Sequence, residues 1–230
     1  MRAIHPVFHF GLRVSAIMLA GVSGVFALWI IAAEVVGPAL PYFPMDSKEA
    51  IVFDAAQASS VRAAHIGWIR GDLWAVAAVT EAAPLLFTPA RDRPSAASQD
   101  KIKSAESAAV HAAKLSPHDA RVWLVLADLR SRRSPPAPDA ADALKLSYYT
   151  GPNEFALAPV RLAVAARVLA DEELQDQIQS EIQRVILKRP DLKGAIAAAY
   201  KTALPRSRKI FEAALSTADP GFLATIAPSR

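Results

Sequence analysis

Five histidines (His5, His9, His65, His111 and His118) and one run of carboxylates are the side chains of this sequence best equipped to hold a metal or move a proton. His5 and His9 stand four residues apart, the spacing at which two imidazoles on a helix share a metal, but such sites need three or four ligands and no third is near. With Pro6 between them and Phe8 and Phe10 beside them, the segment reads as an aromatic cluster at the level of lipid headgroups. His118 falls in a turn, where water satisfies it. Glu172, Glu173, Asp176 and Glu181 line one stretch, and a hydrolase would need two of them facing a cleft with one pKa raised. They alternate with Gln175, Gln177, Gln179 and Gln183, which is the pattern of a solvated helix exterior. No Ser-His-Asp arrangement, glycine-rich phosphate loop or dinucleotide fingerprint can be assembled, so the sequence contains no catalytic constellation and calls for no cofactor and no metal. The absence of cysteine removes disulfides, thiolate ligands and cysteine nucleophiles.

Two other groups of residues point to binding. Tyr148, Tyr149, Asn153 and Glu154 cluster about Gly151-Pro152, either as a polar edge for a partner or as a turn whose tyrosines pack on the next helix. Lys188, Arg189, Lys193, Lys201, Arg206, Arg208 and Lys209 make the last third basic, but they spread over several helices and the net charge is only +4, as a solubilising surface would have. The tripeptide Arg70-Gly71-Asp72 has a local use, with Asp72 as a helix N-cap.

The elements that position these residues are helical. An apolar fraction of 53% with only 7% aromatics and 9 glycines favours closely packed helices over sheets. From Val14 to Ala33 there are 20 residues without a charge, and at about 1.5 Å per residue this run matches a hydrocarbon core of about 30 Å. A signal peptide has a shorter apolar stretch and a small-x-small cleavage site, which this one lacks, so residues 14–36 are expected to be an uncleaved transmembrane helix. Arg2, Arg13 and the amino terminus precede it and Glu34, Asp46, Lys48 and Glu49 follow, which places residues 1–13 in the cytoplasm and the rest in the periplasm of a bacterium. Nucleic acid is thereby excluded as a partner. Trp29 suits an interfacial anchor, and Ala20 with Gly24 and Ser23 with Ala27 offer a small-residue side to another span or a second copy of the chain. Residues 37–46, with Pro38, Pro41 and Pro44, read as a stiff spacer, and 47–230 as one helical domain. Within it, helices are predicted from an Asp46 cap to Ile69, from an Asp72 cap to Pro84, and over Ser98 to Leu115. Two more carry Trp123 and Leu144, and four follow, at Phe155 to Ala170, Glu172 to Lys188, Asp191 to Ala203 and Arg206 to Ser216. The loops Pro84 to Pro94 and Arg132 to Pro138 are proline-marked, and Asp171 and Asp191 are the expected caps late in the chain.

The helices at the centre show a repeat. Trp123, Leu126 and Ala127 on one helix and Ala140, Leu144, Ser147 and Pro152 on and after the next resemble a tetratricopeptide repeat with one residue inserted in the intervening loop. Trp74, Ala77 and Ala78, then Ala105, Ala112 and Pro117, resemble the preceding repeat, with a longer loop. After Pro152 the pattern decays, Ala158 standing in place of an aromatic and Leu162 in place of a small residue. The resemblance implies an all-α solenoid of antiparallel pairs whose curved face holds a peptide or a partner protein. The order of anchor, Arg-Gly-Asp-Leu-Trp, Leu-Ser-Pro-His-Asp-Ala-Arg-Val-Trp and Ser-Tyr-Tyr-Thr-Gly-Pro-Asn-Glu is similar to membrane-anchored repeat proteins of alphaproteobacteria associated with exopolysaccharide or O-antigen synthesis. The expected role is a scaffold for membrane or periplasmic proteins. An accessory subunit or assembly factor of a respiratory, photosynthetic or cytochrome-maturation complex is the alternative, and a polysaccharide-modifying hydrolase the alternative from another class.

Overall fold

The uncharged run does form one unbroken helix, α1, Pro6–Val36. The computed structural model describes residues 6–87, 96–133 and 138–227, with side chains 6–9 and 96–98 left aside. His5, the His9 side chain and most of the Pro84 to Pro94 loop therefore lie outside the described residues. From Phe10 to Leu28 the large apolar side chains of α1 are exposed, whereas the end of the helix packs on the domain.

Twelve α-helices and no strand occur among the described residues. After α1 come α2 (Ser47–Ala55), α3 (Gln57–Ile66), α4 (Gly71–Leu86), α5 (Ala96–Leu115), α6 (Ala120–Ser131) and α7 (Asp139–Thr150). They are followed by α8 (Ala158–Ala165), α9 (Glu172–Lys188), α10 (Lys193–Thr202), α11 (Pro205–Ala218) and α12 (Pro220–Ile226), with 3-10 turns at Phe155–Leu157 and Pro190–Leu192. Asp46 and Asp171 are N-caps as predicted, their carboxylates accepting backbone N–H groups of Glu49 and Leu174, and Asp119 caps α6 in the same way through the N–H of Arg121.

Four local expectations are corrected. The helix expected from Asp46 to Ile69 is broken at Ala56 into α2 and α3 and stops at Ile66, and the Ser59 and Ser60 hydroxyls both donate to the Ala56 carbonyl there. Asp72 does not cap α4; Arg70 occupies that position, and Asp72 lies in the first turn bonded to the Arg70 guanidinium. Pro84 does not end α4, which runs on to Leu86. Asp191 lies inside a 3-10 turn and pairs with Arg189.

Pairing is closest between α4 and α5 and between α6 and α7, and α4 also lies against α6, and α6 against α8. The reason is the run of small residues facing each other: Ala78, Ala105, Ala109, Ala112, Ala127 and Ala140 are fully or nearly fully buried, which lets backbones approach. Trp74 and Trp123 occupy equivalent places. Each is four residues after its helix cap and donates its indole N–H to a carbonyl six residues earlier, of Trp68 (3.1 Å) and Pro117 (2.7 Å). Each pair is closed at one end by a contact that leaves room for glycine on only one side. A Cβ on Gly71 would stand 2.1 Å from the Ser116 hydroxyl, and a Cβ on Gly151 would stand 2.6 Å from the Ala120 Cβ. Gly71 and Ala120 are equivalent in the two pairs, as are Ser116 and Gly151, so the glycine has changed sides between them.

The proline-marked stretch 37–46 is not a free spacer. Phe43 is 1% exposed and belongs to the main core, Leu40 packs against that core, and Arg121 of α6 donates to the Tyr42 carbonyl (3.3 Å) while its guanidinium covers the Tyr42 ring at 4.5 Å. Prolines keep this stretch from becoming helical, and its apolar residues bind it across the N-terminal end of α6.

Candidate functional site

Residues 37–46 cross the start of α6, and the last of them, Met45 and Asp46, reach the edge of an open groove. A groove of about 970 Å³ runs between the end of α4 (Leu86, Phe87), α8 (Pro159, Val160, Ala163) and α10 (Ala195, Ala198, Ala199), closed at its margin by Met45 and Leu204. Its walls are mainly apolar and small, because α8 and α10 turn alanines outward here. The charges at its rim are already engaged. Arg167 donates to Asp128 at 2.5 Å, and Asp191 accepts from Arg189. Asp128 is 0% exposed and also accepts from Arg132 at 2.6 Å, while burial of the Arg167 guanidinium, the largest influence on it, lowers its pKa from the usual value. A groove of this size with an apolar floor and satisfied ionic rim suits a side of an apolar helix or an extended peptide rather than a charged small molecule.

After α7 the pairing of successive helices stops: α8 packs chiefly on α10 and α9 on α11, as the decay of the repeat pattern after Pro152 implies. Arg161 of α8 and Glu181 of α9 fall where α4 to α7 carry apolar or small residues, and both are buried. Arg161 donates to the Ser147 hydroxyl (3.1 Å), to the Ser147 carbonyl and to the Gly151 carbonyl (2.9 Å), lies 3.5 Å from the Glu181 carboxylate and stacks on the Tyr148 ring at 4.8 Å. Tyr148 donates to the other Glu181 oxygen at 2.6 Å. Burial pushes the Tyr148 phenol well above its usual range and raises the Glu181 carboxyl. α8 and α9 therefore meet mainly through this buried polar cluster, each having its main packing partner elsewhere.

The predicted edge around Gly151-Pro152 therefore divides. Tyr148 is buried and Ser147, also buried, donates to the Ala120 carbonyl at 3.0 Å. Tyr149 is exposed but its hydroxyl is bonded to Glu173 of α9, and the exposed Asn153 accepts from Arg184 at 3.3 Å. Glu154 is half-buried. Tyr148 is thus packed inside, as the second of the two readings has it, while Tyr149 stays on the surface and meets α9 through its hydroxyl. Glu181 is not on a wet face, as its glutamine neighbours imply, and its carboxyl is committed to Tyr148 and Arg161. Glu173, eight residues and about 12 Å along α9, is outside the ~5 to 9.5 Å spacing of a glycosidase carboxylate pair. Glu172 and Asp176 are exposed.

Elsewhere, Arg70-Gly71-Asp72 is locked, Arg70 pairing with both Asp72 and Glu34 of α1. His65 and His111 flank Trp74 with ring centroids at 5.2 and 4.4 Å, and His118 is exposed. Lys188, Lys201, Arg206 and Lys209 are exposed on three different helices, and Lys193 pairs with Asp219 at 2.7 Å, so the basic residues form no single site. Ala20, Ser23, Gly24 and Ala27 are exposed on α1. No family model, no curated protein and no solved structure matches this chain. The fold and the groove define an all-helical, paired-helix protein with one N-terminal helix long and apolar enough to cross a membrane.

Proposed function

We propose that this protein is a membrane-anchored adaptor of the tetratricopeptide-like kind, in which α1 crosses the bilayer with its N-terminus in the cytoplasm and the paired helices hold a partner protein at the periplasmic face. The observation that carries this reading is the groove between the end of α4, α8 and α10, whose walls are small and apolar and whose rim charges are paired. The anchor is supported by the exposed apolar length of α1 from Phe10 to Leu28 and by the charges at its two ends. The similarity of the Trp-bearing and Tyr-Tyr-Thr-Gly-Pro segments to repeat proteins of envelope polysaccharide synthesis directs the search to that machinery.

The test fills the groove without touching the core. Ala198 is exposed and Ala163 half-buried on facing walls, so Ala198→Trp and Ala163→Trp should leave the melting temperature unchanged while removing most of any partner co-purified with the full chain in mild detergent. Polysaccharide synthesis or export components retained by the unaltered protein and lost from both variants are the expected result; retention of the same components by both variants would overturn the groove as the binding site. A second reading, an accessory subunit of a membrane complex, is favoured by the Ala20 and Gly24 side of α1, which no other described element covers. It predicts that the partner is lost on Gly24→Leu instead.

A further inference from the structure

The turn between α3 and α4 carries Trp68, 65% exposed, and Ile69, 49% exposed, next to one another on the surface. An indole and a butyl group left in water at a four-residue turn are costly, and none of the other described residues covers them. Their position along α1 is fixed by three contacts. The Trp29 indole N–H donates to the Ile66 carbonyl at 2.6 Å, a Cβ on Gly67 would stand 3.5 Å from the Ala33 Cβ, and the Arg70 guanidinium pairs with Glu34 at 2.6 Å. The turn is therefore level with the stretch of α1 from Trp29 to Glu34.

That level has a meaning once α1 spans a bilayer. Arg13 and Glu34 are 21 residues apart, about 32 Å along a helix, close to the ~30 Å thickness of a hydrocarbon core. They then mark the two headgroup regions, and the last five residues before Glu34 occupy the outermost 7 to 8 Å of the apolar layer, by the same ~1.5 Å rise. We infer that Trp68 and Ile69 insert into the outer bilayer interface as a second membrane contact, so that the domain lies on the lipid surface through this turn as well as being tethered by α1. This rests on the anchor reading above. Tryptophan favours that depth because its ring is apolar and its indole N–H polar, and the neighbouring ions Glu34, Arg70 and Asp72 are paired with one another where headgroups and water begin. The same geometry gives the domain one orientation. α3 descends to the turn and α4 rises from it, and Gly71 at the foot of α4 packs on Leu115 and Ser116 at the foot of α5, so the turn before α6 follows beside it.

The absence of cysteine makes a direct test clean. Single variants Trp68→Cys, Ile69→Cys, Val22→Cys and Lys103→Cys of the full chain are labelled with an environment-sensitive fluorophore and reconstituted in vesicles of phosphatidylcholine and phosphatidylglycerol. Quenching is read with nitroxide lipids labelled near the headgroup or at mid-chain, and with aqueous iodide. Val22 lies mid-span, and Lys103 is exposed a dozen residues up α5 from Leu115, about 18 Å away. Labels at 68 and 69 should be quenched by the shallow nitroxide at least about threefold more than the label at 103, and shielded from iodide, as interfacial residues are. Equal iodide access at 68, 69 and 103, with the label at 22 quenched at mid-chain, would overturn the interfacial turn while leaving the anchor intact. Shielding from both quenchers would overturn it in favour of a protein contact, such as a second copy. A label at 22 that no lipid quenches would sink the anchor reading itself.

Discussion

Arg161 offers the sharpest test of how this fold is held together. Its guanidinium is fully buried and is the donor to two backbone carbonyls and one hydroxyl, besides facing the Glu181 carboxylate. Arg161→Met keeps the length and apolar stem but strips the Ser147 and Gly151 carbonyls of that donor and leaves Glu181 without its counter-charge. Removing one member of a buried pair costs about 3–5 kcal/mol, against a total domain stability of about 5–15 kcal/mol. For a chain of this size 1 kcal/mol moves the melting temperature by about 2–4 °C, so the expected drop is about 6–20 °C. The assay is urea unfolding of the full chain in mild detergent, followed by near-ultraviolet circular dichroism, to which the partly buried Trp74 and Trp123 contribute. Glu181→Gln leaves Tyr148 an acceptor while removing the charge. The double variant should therefore be less damaged than the sum of the two singles by at least ~1 kcal/mol, the sign of a coupled pair. An Arg161→Met protein within about 1 kcal/mol of the parent, or strict additivity in the double variant, would refute the reasoning, because a half-satisfied buried network is not tolerated at that price.

Two further outcomes follow from packing and charge. Gly151→Ala brings a Cβ to 2.6 Å from Ala120 and 2.8 Å from Glu154 and should destabilise by about 1–3 kcal/mol, whereas Gly194→Ala, with nothing within 4 Å, should stabilise by about 0.5–1 kcal/mol in thermal melts. Glu81 is buried on α4 with its Oε2 lacking a hydrogen-bond partner among the described residues, and burial raises its carboxyl pKa despite a bond from Ser104. A carboxyl whose folded pKa is raised contributes most to stability below the ordinary glutamate value of about 4.3, and loses that contribution as pH rises through the folded value. Glu81→Gln should therefore gain on the parent between pH 4 and neutrality in paired melting curves, and a constant difference across that range would show that Glu81 is not so perturbed.

How much of this was readable beforehand depends on whether the signal was local. A 20-residue apolar run, caps such as Asp46 and Asp171, and alanines at repeat spacing each act through their own helix, and all appear where expected. The break at Ala56 has no glycine or proline to announce it, and Pro84 is accommodated near the last turn of α4, where the helix was expected to have stopped. Arg161 and Glu181 do leave a trace in the sequence. Arg161 is the only charge in the otherwise apolar stretch Phe155–Ala165, and Glu181 falls on the stripe Leu174, Ile178, Ile182 and Val185 that faces the core. A charge on an apolar stripe asks for a partner on the opposing helix, but the glutamines beside Glu181 suggested water instead. The packing of Tyr42 and Phe43 was hidden for another reason: proline shows that a segment is not helical, and says nothing of what its aromatics touch.

The junction between α1 and the domain bears on how an anchored adaptor would act. A flexible linker lets a tethered domain sample a volume, so that its advantage is an effective concentration set by linker length. Here the path from Glu34 to Ser47 is held at Ala33, Phe43 and Tyr42 and by the Arg70 and Arg121 side chains, which leaves little slack to vary. In the adaptor we propose, a domain fixed in this way would present its groove at one height and angle from the anchor, and a partner would have to meet it there. Lengthening the segment with a few glycines between Gly37 and Leu40 would preserve tethering while releasing that geometry, and it thus separates an adaptor that merely concentrates its partner from one that orients it.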